Sequence, residues 1–538
     1  MSFPLVFHLL TVVQAVFSPT TDMDLFPILT LIFFLLPTLF TLYPVKIPVP
    51  LPFFGWRSLL IDPYSAPIFA VVILWPLQCL GIEQIYDGIV GTDSFKPYKL
   101  IITFLSLAYI SITLDVTTVL ERAVFWAGDQ ARSGGCKLYI YFYIIVTILG
   151  LIISNEVALH STSVFLVDFT TARGLQPFPW LISAFAVVNT PAMVLFAGNP
   201  TNFIICDIFN INKAAFSAYT ILPFAACSMV CLFVMLRRFK GATYFPAQPS
   251  ISSWTIPRNN LRDATATVAG IFFLGCCLVV SLGLSFLHVC VWKIFLSFAG
   301  LKSFIDVFWD QSQFVTATRT NSTYSLVASN PSTSVLGTTS ETDRETRPTP
   351  SEDGDNDQTT ETHVDGTYQL LTLRFPTFFN ALPQLPFGLI PLVFSQSILI
   401  EALSQHGWIE LFGQWLAAAS GGRMIPTIWV VGIIGVPLCN FAGTNIGTTI
   451  LLAKVIRQAN LDGPSETGAA IALAVVSNIG AVNLSFSSSR SAFLWRAILQ
   501  QEGIQVTWLT FAKWNSIPLV VMTCVGLAVV CVEMAVLR

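Results

Sequence analysis

The sequence predicts an all-α polytopic membrane protein of about ten to twelve spans. It predicts two inverted repeats, each with a re-entrant hairpin and a broken transmembrane helix. Three observations lead there. Of 538 residues, 54% are hydrophobic and only 11% charged, against about 25% charged in a soluble domain. Apolar segments of about 20 residues, the length that crosses a bilayer core of about 30 Å, recur along the chain. Four long apolar segments are interrupted by Gly, Pro and Asn clusters, in the same order in each half.

The mean hydropathy of +0.71 excludes an ordinary water-soluble enzyme, and the net charge of −3 gives no basic excess, which argues against a nucleic-acid partner. The bilayer and a small-molecule or ion substrate are the expected partners, with a homodimer left open. Eleven cysteines are scattered through apolar runs without a CxxC pair or zinc spacing. They read as small apolar fillers, and no cofactor or metal is expected. Neither HExxH nor GxSxG occurs, so an intramembrane protease has no motif to stand on.

In chain order, residues 1–23 hold a short apolar stretch without a positive n-region, which argues against a cleaved signal peptide. Residues 24–240 form the first membrane repeat, with plain spans at 25–43, 66–82, 100–119 and 215–236. Residues 241–309 hold a cytoplasmic connector and the first spans of the second repeat, at 264–289 and, interrupted by Lys293, Lys302 and Asp306, at 291–309. Residues 310–378 are Ser/Thr-rich and acidic, with nine acidic residues against two arginines at 341–365. Such a composition buries too little apolar surface to order itself. Residues 379–538 complete the second repeat, with plain spans at 382–402 and 511–537. If Arg237, Arg238 and Lys240 face the cytoplasm, eleven Lys/Arg fall on that side, against Lys96, Lys99 and Lys213 on the other side of the first half. A multi-pass protein of the plasma membrane is expected, with an organelle membrane as the alternative.

The interrupted segments carry the chemistry. Segment 137–172 has a polar centre, Ser154-Asn155-Glu156, and segment 180–211 breaks at Gly198-Asn199-Pro200-Thr201-Asn202. In the second half, 424–456 breaks at Asn440-Phe441-Ala442-Gly443-Thr444-Asn445, and 469–499 at Ser477-Asn478-Ile479-Gly480 and again from Asn483 through Ser489, which includes Ser485. Asn155 to Asn440 is 285 positions, Asn199 to Asn483 is 284, and Asp115 to Glu401 is 286. An internal repeat of broken helices is a sequence sign of a secondary transporter. Unwound backbone survives at membrane depth only where it lines a cavity or is buried in protein. Freed amides then face an anion or polar solute, and freed carbonyls with Asn, Ser and Thr oxygens can hold a cation.

The run Val188-Asn189-Thr190-Pro191-Ala192-Met193 through Asn202 resembles the first broken helix of the ion-transporter superfamily, in particular arsenite permeases and citrate-transporter-like proteins. Ser154-Asn155-Glu156-Val157-Ala158 looks like that family's hairpin tip, although many relatives have Asp where this chain has Glu156. The stretch from Ser477 through Phe493-Leu494-Trp495-Arg496 to Trp508 is similar to the end of arsenite permeases. The resemblance implies a substrate and coupling-ion site where hairpins and breaks meet: Ser154, Asn155, Glu156, Gly198, Asn199, Thr201 and Asn202 in the first half, and Asn440, Thr444, Asn445, Asn478, Gly480, Asn483 and Ser485 in the second. It implies secondary transport of arsenite or antimonite coupled to protons or membrane potential, with a di- or tricarboxylate carrier or a channel as alternatives. Each residue also has a plainer reading: Glu156 as a solvated tip carboxylate, the Asn groups as interhelical polar contacts, Asp115 and Glu401 as interfacial caps, His160 as a packing histidine, and Arg490 as a snorkelling cation.

Overall fold

The computed structural model describes residues 25–35, 45–51, 55–61, 65–92, 95–114, 120, 123–124, 126, 135–153, 155–240, 244, 264–287, 289–328, 370–441, 444–482, 484, 486 and 490–537. The fold is that of an all-α polytopic membrane protein. Among the described residues, six helices are long and apolar enough to cross a membrane, and the flanks of the long ones present Phe233, Phe272, Val520 and similar side chains outward.

The first half begins with α1 (Leu25–Leu35), then a two-stranded antiparallel ribbon of β1 (Val45–Leu51) and β2 (Gly55–Ile61), which the sequence had not suggested. The expected span 66–82 is shorter: α2 (Ser65–Leu74) stops before Pro76, whose ring disfavours helix in the residue before it. A separate amphipathic α3 (Ile82–Val90) follows, then α4 (Pro97–Ile112), started by its N-terminal proline. Next come α5 (Gly135–Ile152), α6 (Asn155–Ala172), α7 (Pro177–Asn189), a 3₁₀ turn (Pro191–Met193), α8 (Pro200–Ile208) and α9 (Lys213–Arg238). Between the halves lie α10 (Ala264–Leu284) and α11 (Val291–Ala328).

The expected boundary of ordered chain at 310 is corrected. Helix α11 runs on to Ala328, and Asp310 accepts hydrogen bonds from the Thr377 backbone N–H (2.7 Å) and hydroxyl (2.8 Å), tying the far end of the acidic segment back to the helix. The rest of that segment, 329–369, and residues 1–24 lie outside the described residues.

The second half has α12 (Pro376–Ala381), α13 (Leu389–Gln405), α14 (Trp408–Ser420), α15 (Met424–Phe441), α16 (Asn445–Gln458), α17 (Gly463–Ile479), a 3₁₀ turn (Gly480–Val482), α18 (Arg490–Gln501) and α19 (Trp508–Val536). Pro383 and Pro386 keep α13 from starting at 382.

Contacts fix the direction of each element. Tyr139 near the start of α5 and Phe169 near the end of α6 both pack on Trp180 at the start of α7, with ring centroids 5.3 and 5.9 Å away. The α5 C-terminus and α6 N-terminus instead meet the far end of α7: Gly150 lies against Val188 and Pro191, and Asn155 bonds Asn189. So α5 and α6 form a hairpin that goes in and returns on one side. In the second half, Met424 and Ile428 meet Gly468 near the start of α17, Arg457 pairs with Glu466 there, and Cys439 meets Gly480 at its end. Hence α15 and α16 make a second hairpin.

The two hairpins come from opposite faces. On one face, Phe239 after α9 stacks on Trp514 at 4.8 Å, Trp514 touches Phe178 of α7 at 5.6 Å, and Arg238 donates to the Lys513 carbonyl at 2.7 Å. The first hairpin opens there, beside Trp180. Helix α9, with 26 residues, is about 39 Å long, so its N-terminus and the adjoining end of α8 lie at the other face. Arg457 at the end of α16 donates to the Ile208 carbonyl at 2.8 Å, which puts the second hairpin's opening at that other face. Helix α6 lies on α18, α16 on α8, α4 on α11 and α13 on α3, while α9 and α19 run antiparallel against each other.

Two exposed cysteines report this geometry. Cys136 opens α5 on the Arg238 face, and Cys290 precedes α11 beside Lys213 on the other. In sealed right-side-out vesicles, a membrane-impermeant maleimide is expected to label one of them and not the other, with C136S and C290S identifying which. Equal labelling of both from one side contradicts the opposed hairpins.

Candidate polar site at the helix breaks

The breaks of α7–α8 and α17–α18 touch directly. Pro191 and Pro200 interrupt the first segment, because proline offers no N–H to the helix. Gly198 cannot be replaced without moving backbone: a Cβ there would stand 2.4 Å from the Ala192 carbonyl oxygen. Asn199 restarts the helix as the α8 cap, its side chain accepting from Thr201 N–H at 3.2 Å. The second break begins with the turn at Gly480, where a Cβ would stand 2.9 Å from Cys439 Sγ.

Between them runs a buried amide chain. Asn199 Nδ2 donates to Asn478 Oδ1 (2.9 Å), and Asn478 Nδ2 donates to Asn202 Oδ1 (2.7 Å) and to the Ala474 carbonyl (2.8 Å). Asn202 Nδ2 donates to the carbonyls of Ala192 (2.7 Å) and Leu195 (2.8 Å), two groups released by the break. Ser477 donates to Thr201 Oγ1 at 3.2 Å. All five side chains are buried and none is charged. This neutral cluster can exchange its internal hydrogen bonds for bonds to a hydroxylated or amide-like solute. It can also offer carbonyl and hydroxyl oxygens to a cation.

The hairpin tips border the cluster. Asn155 is buried at the start of α6 and donates to Asn189 Oδ1 at 3.3 Å. Glu156 is half-buried in the first turn of α6, while His160 on the next turn is exposed. Thr444 and Asn445 are buried at the start of α16, where Thr444 Oγ1 accepts from Gly447 N–H at 3.1 Å. Of the other expected residues, Ser154, Asn483 and Ser485 lie outside the described residues, and Asn440 is the penultimate residue of α15. Arg490 opens α18, and Asp115 is outside the described residues. Glu401 is ion-paired across to Lys454, fastening α13 to α16, which answers its reading as a plain cap.

Sequence reasoning left three groups out of the site. Asn189 and Ser477 stood inside the quoted motifs without being assigned a role. Gln396 lies mid-helix in α13, fully buried, with neither amide atom hydrogen-bonded among the described residues. Its Oε1 is 2.6 Å from where a Cβ on Gly447 would be, so it faces the first turn of α16. A lone glutamine in an apolar helix was the available signal. Ser111, 285 positions earlier, is likewise buried with no hydroxyl partner among the described residues.

No protein-family model matches the chain. Among solved structures, it is similar to the YdaH transporter of Alcanivorax borkumensis (TM-score 0.47, 11% identity, 94% of this chain and 98% of that one). It is also similar to MtrF of Neisseria gonorrhoeae, described as one of a class of antimetabolite efflux pumps (TM-score 0.46, 12% identity, 95% of each chain). Likeness at this level says nothing of substrate or site.

Asn478→Ala removes the bond to Asn199 and leaves Asn202 Oδ1 without its donor. An unsatisfied buried polar group costs about 1–3 kcal/mol, whereas interhelical hydrogen bonds in membranes average about 0.6 kcal/mol. A lowered melting midpoint in detergent is therefore expected for Asn478→Ala, with a smaller loss for Asn478→Gln. An unchanged midpoint in both contradicts a bridge that joins the halves. Gly198→Ala is expected to lower it also, because only backbone movement relieves the contact with Ala192.

Proposed function

We propose that the chain is a secondary active carrier built from two inverted repeats, with the solute and any coupling ion held at the amide cluster. One observation carries this reading. Two hairpins entering from opposite faces and two interrupted helices converge on a buried, uncharged polar cluster, about 20 Å along α7 from the helix start. Polar residues gathered at such depth are costly unless they serve a function.

The two halves are pinned together by Asn199–Asn478–Asn202 in this conformation. A solute that replaces those bonds removes the pin, which lets the halves shift and expose the cluster to the other face. Such a shift follows only from the difference in the solute's affinity for the two arrangements. An uncharged cluster suits a solute that sheds its water without leaving a bare charge. Arsenite or antimonite in neutral acid form, with hydroxyl donors and acceptors on every side, fits that chemistry. Glu156, half-buried at the first hairpin tip, is the proton-coupling group in this reading.

A second reading, a di- or tricarboxylate carrier, has its own support. Lys99 and Lys213 line a cavity at the end of α8, where an anion would first be met.

Reconstituted protein is expected to move arsenite with saturating kinetics that follow an imposed pH gradient. Asn199→Ala and Asn478→Ala are expected to abolish flux while insertion persists, and wild-type flux in both sinks the proposed site. Citrate uptake assayed in parallel separates the two substrate readings, and ohmic conductance in place of saturation indicates a channel. Glu156→Gln is expected to flatten the pH dependence of flux; an unchanged profile reduces Glu156 to a structural residue.

A further inference from the structure

The first half places few cations on the face where α8 ends: Lys96, Lys99 and Lys213. Lys99 and Lys213 are far apart in sequence, yet they meet at one place. A cavity of about 220 Å³ is lined by Lys99, Asp207, Asn212, Lys213, Ser285 and Trp292, among others. Asp207 lies in the field of Lys99, Lys213 and Lys96. Two ammonium groups, Lys99 and Lys213, against the Asp207 carboxylate leave the lining with an excess of one positive charge.

The backbone adds to this. Three helices begin around the cavity, α4 at Pro97, α9 at Lys213 and α11 at Val291, and each directs the positive end of its dipole toward it. The first amides of α9 are already engaged: Lys213 N–H donates to Ser285 Oγ (3.2 Å) and Ala214 N–H to Asn212 Oδ1 (2.9 Å). The groups left to grip a ligand are the lysine ammoniums, set in the favourable potential of those three helix starts. Trp292 forms a rigid wall, held edge-on by Tyr98 with centroids 6.4 Å apart. The volume is below the about 300–1,000 Å³ of pockets for drug-sized ligands, so the cavity suits a small anion.

Helix α8 runs between the cavity and the polar cluster. Phe203, next in sequence to Asn202, lines the cavity floor. Helix α8 has nine residues and spans about 13 Å from the Asn199 cap to the cavity.

We propose that this cavity is an anion site that takes a small carboxylate or phosphate anion through Lys99 and Lys213. Its role as the mouth of a transport path rests on the carrier reading; its binding of an anion does not. The same chemistry is offered by a free anion and by the headgroup of an anionic lipid, and the two are separable.

The test uses the full chain purified in neutral detergent, titrated with citrate and with inorganic phosphate by calorimetry at low and high NaCl. Retained phosphatidylglycerol is read in parallel by native mass spectrometry. Citrate or phosphate is expected to bind wild type, at least tenfold more weakly in K99Q/K213Q and more weakly at high salt, where screening is stronger. D207N is expected to keep or tighten binding. If no free anion binds but phosphatidylglycerol is retained by wild type and lost from K99Q/K213Q, the site stands with a lipid headgroup as its ligand. If neither probe binds wild type, or if the double variant binds both unchanged, the proposal is overturned. Single variants K99Q and K213Q give the same readout should the double variant not fold. Binding without flux leaves the anion site and sinks the carrier, and flux without binding does the reverse.

Discussion

A peptide group inside hydrocarbon must find its hydrogen-bond partner within the protein. This constraint organises the molecule. Where α7 stops, backbone groups are released, and side chains of the chain partner several of them. The Ala192 and Leu195 carbonyls are taken by Asn202, and the Thr201 amide by Asn199. Asn478 then links Asn199 to Asn202 from the other half. The same side chains that repair the broken backbone thus become the contact between the halves. An asparagine serves here because its amide donates and accepts at once.

The remainder of the fold keeps this exchangeable cluster in place with contacts that are not exchangeable. Aromatic packing on Trp180 closes the first hairpin against α7, and Phe185, Phe486, Trp495 and Phe511 fill the space beside the breaks. Charged groups sit at the ends or between helices. Arg457 spans the Ile208 carbonyl and Glu466, and Lys454 holds Glu401. Tyr109 donates to Asp306 at 3.0 Å, and Asp306 also pairs with Lys302 one turn away on α11, so the charges that interrupt that apolar segment neutralise each other. The centre is consequently polar and uncharged, framed by apolar layers with ion pairs outside it.

Much of this was legible in one dimension. Gly198 and Pro200 announce a break because neither residue is at home inside a helix. Other features were not legible. Gln396 carries no break signal, and its importance comes from facing Gly447 on a helix 51 positions away. The stop at Leu74 depends on Pro76 in a stretch whose hydropathy alone would continue. Asp310 binding Thr377 is likewise a pairing that no local composition reveals.

By itself the sequence determined the solvent and the punctuation: the content of apolar residues dictates lipid-facing helices, and the Gly, Pro and Asn clusters dictate where those helices fail. These are local properties, set by side-chain transfer energy and by backbone hydrogen bonding within a few residues. Only the tertiary structure decided that the two failures meet, that the hairpins come from opposite faces, and that Lys99 and Lys213 share one cavity. Those outcomes depend on contacts between groups hundreds of positions apart, where packing of whole helices selects the partner and no short-range rule can name it.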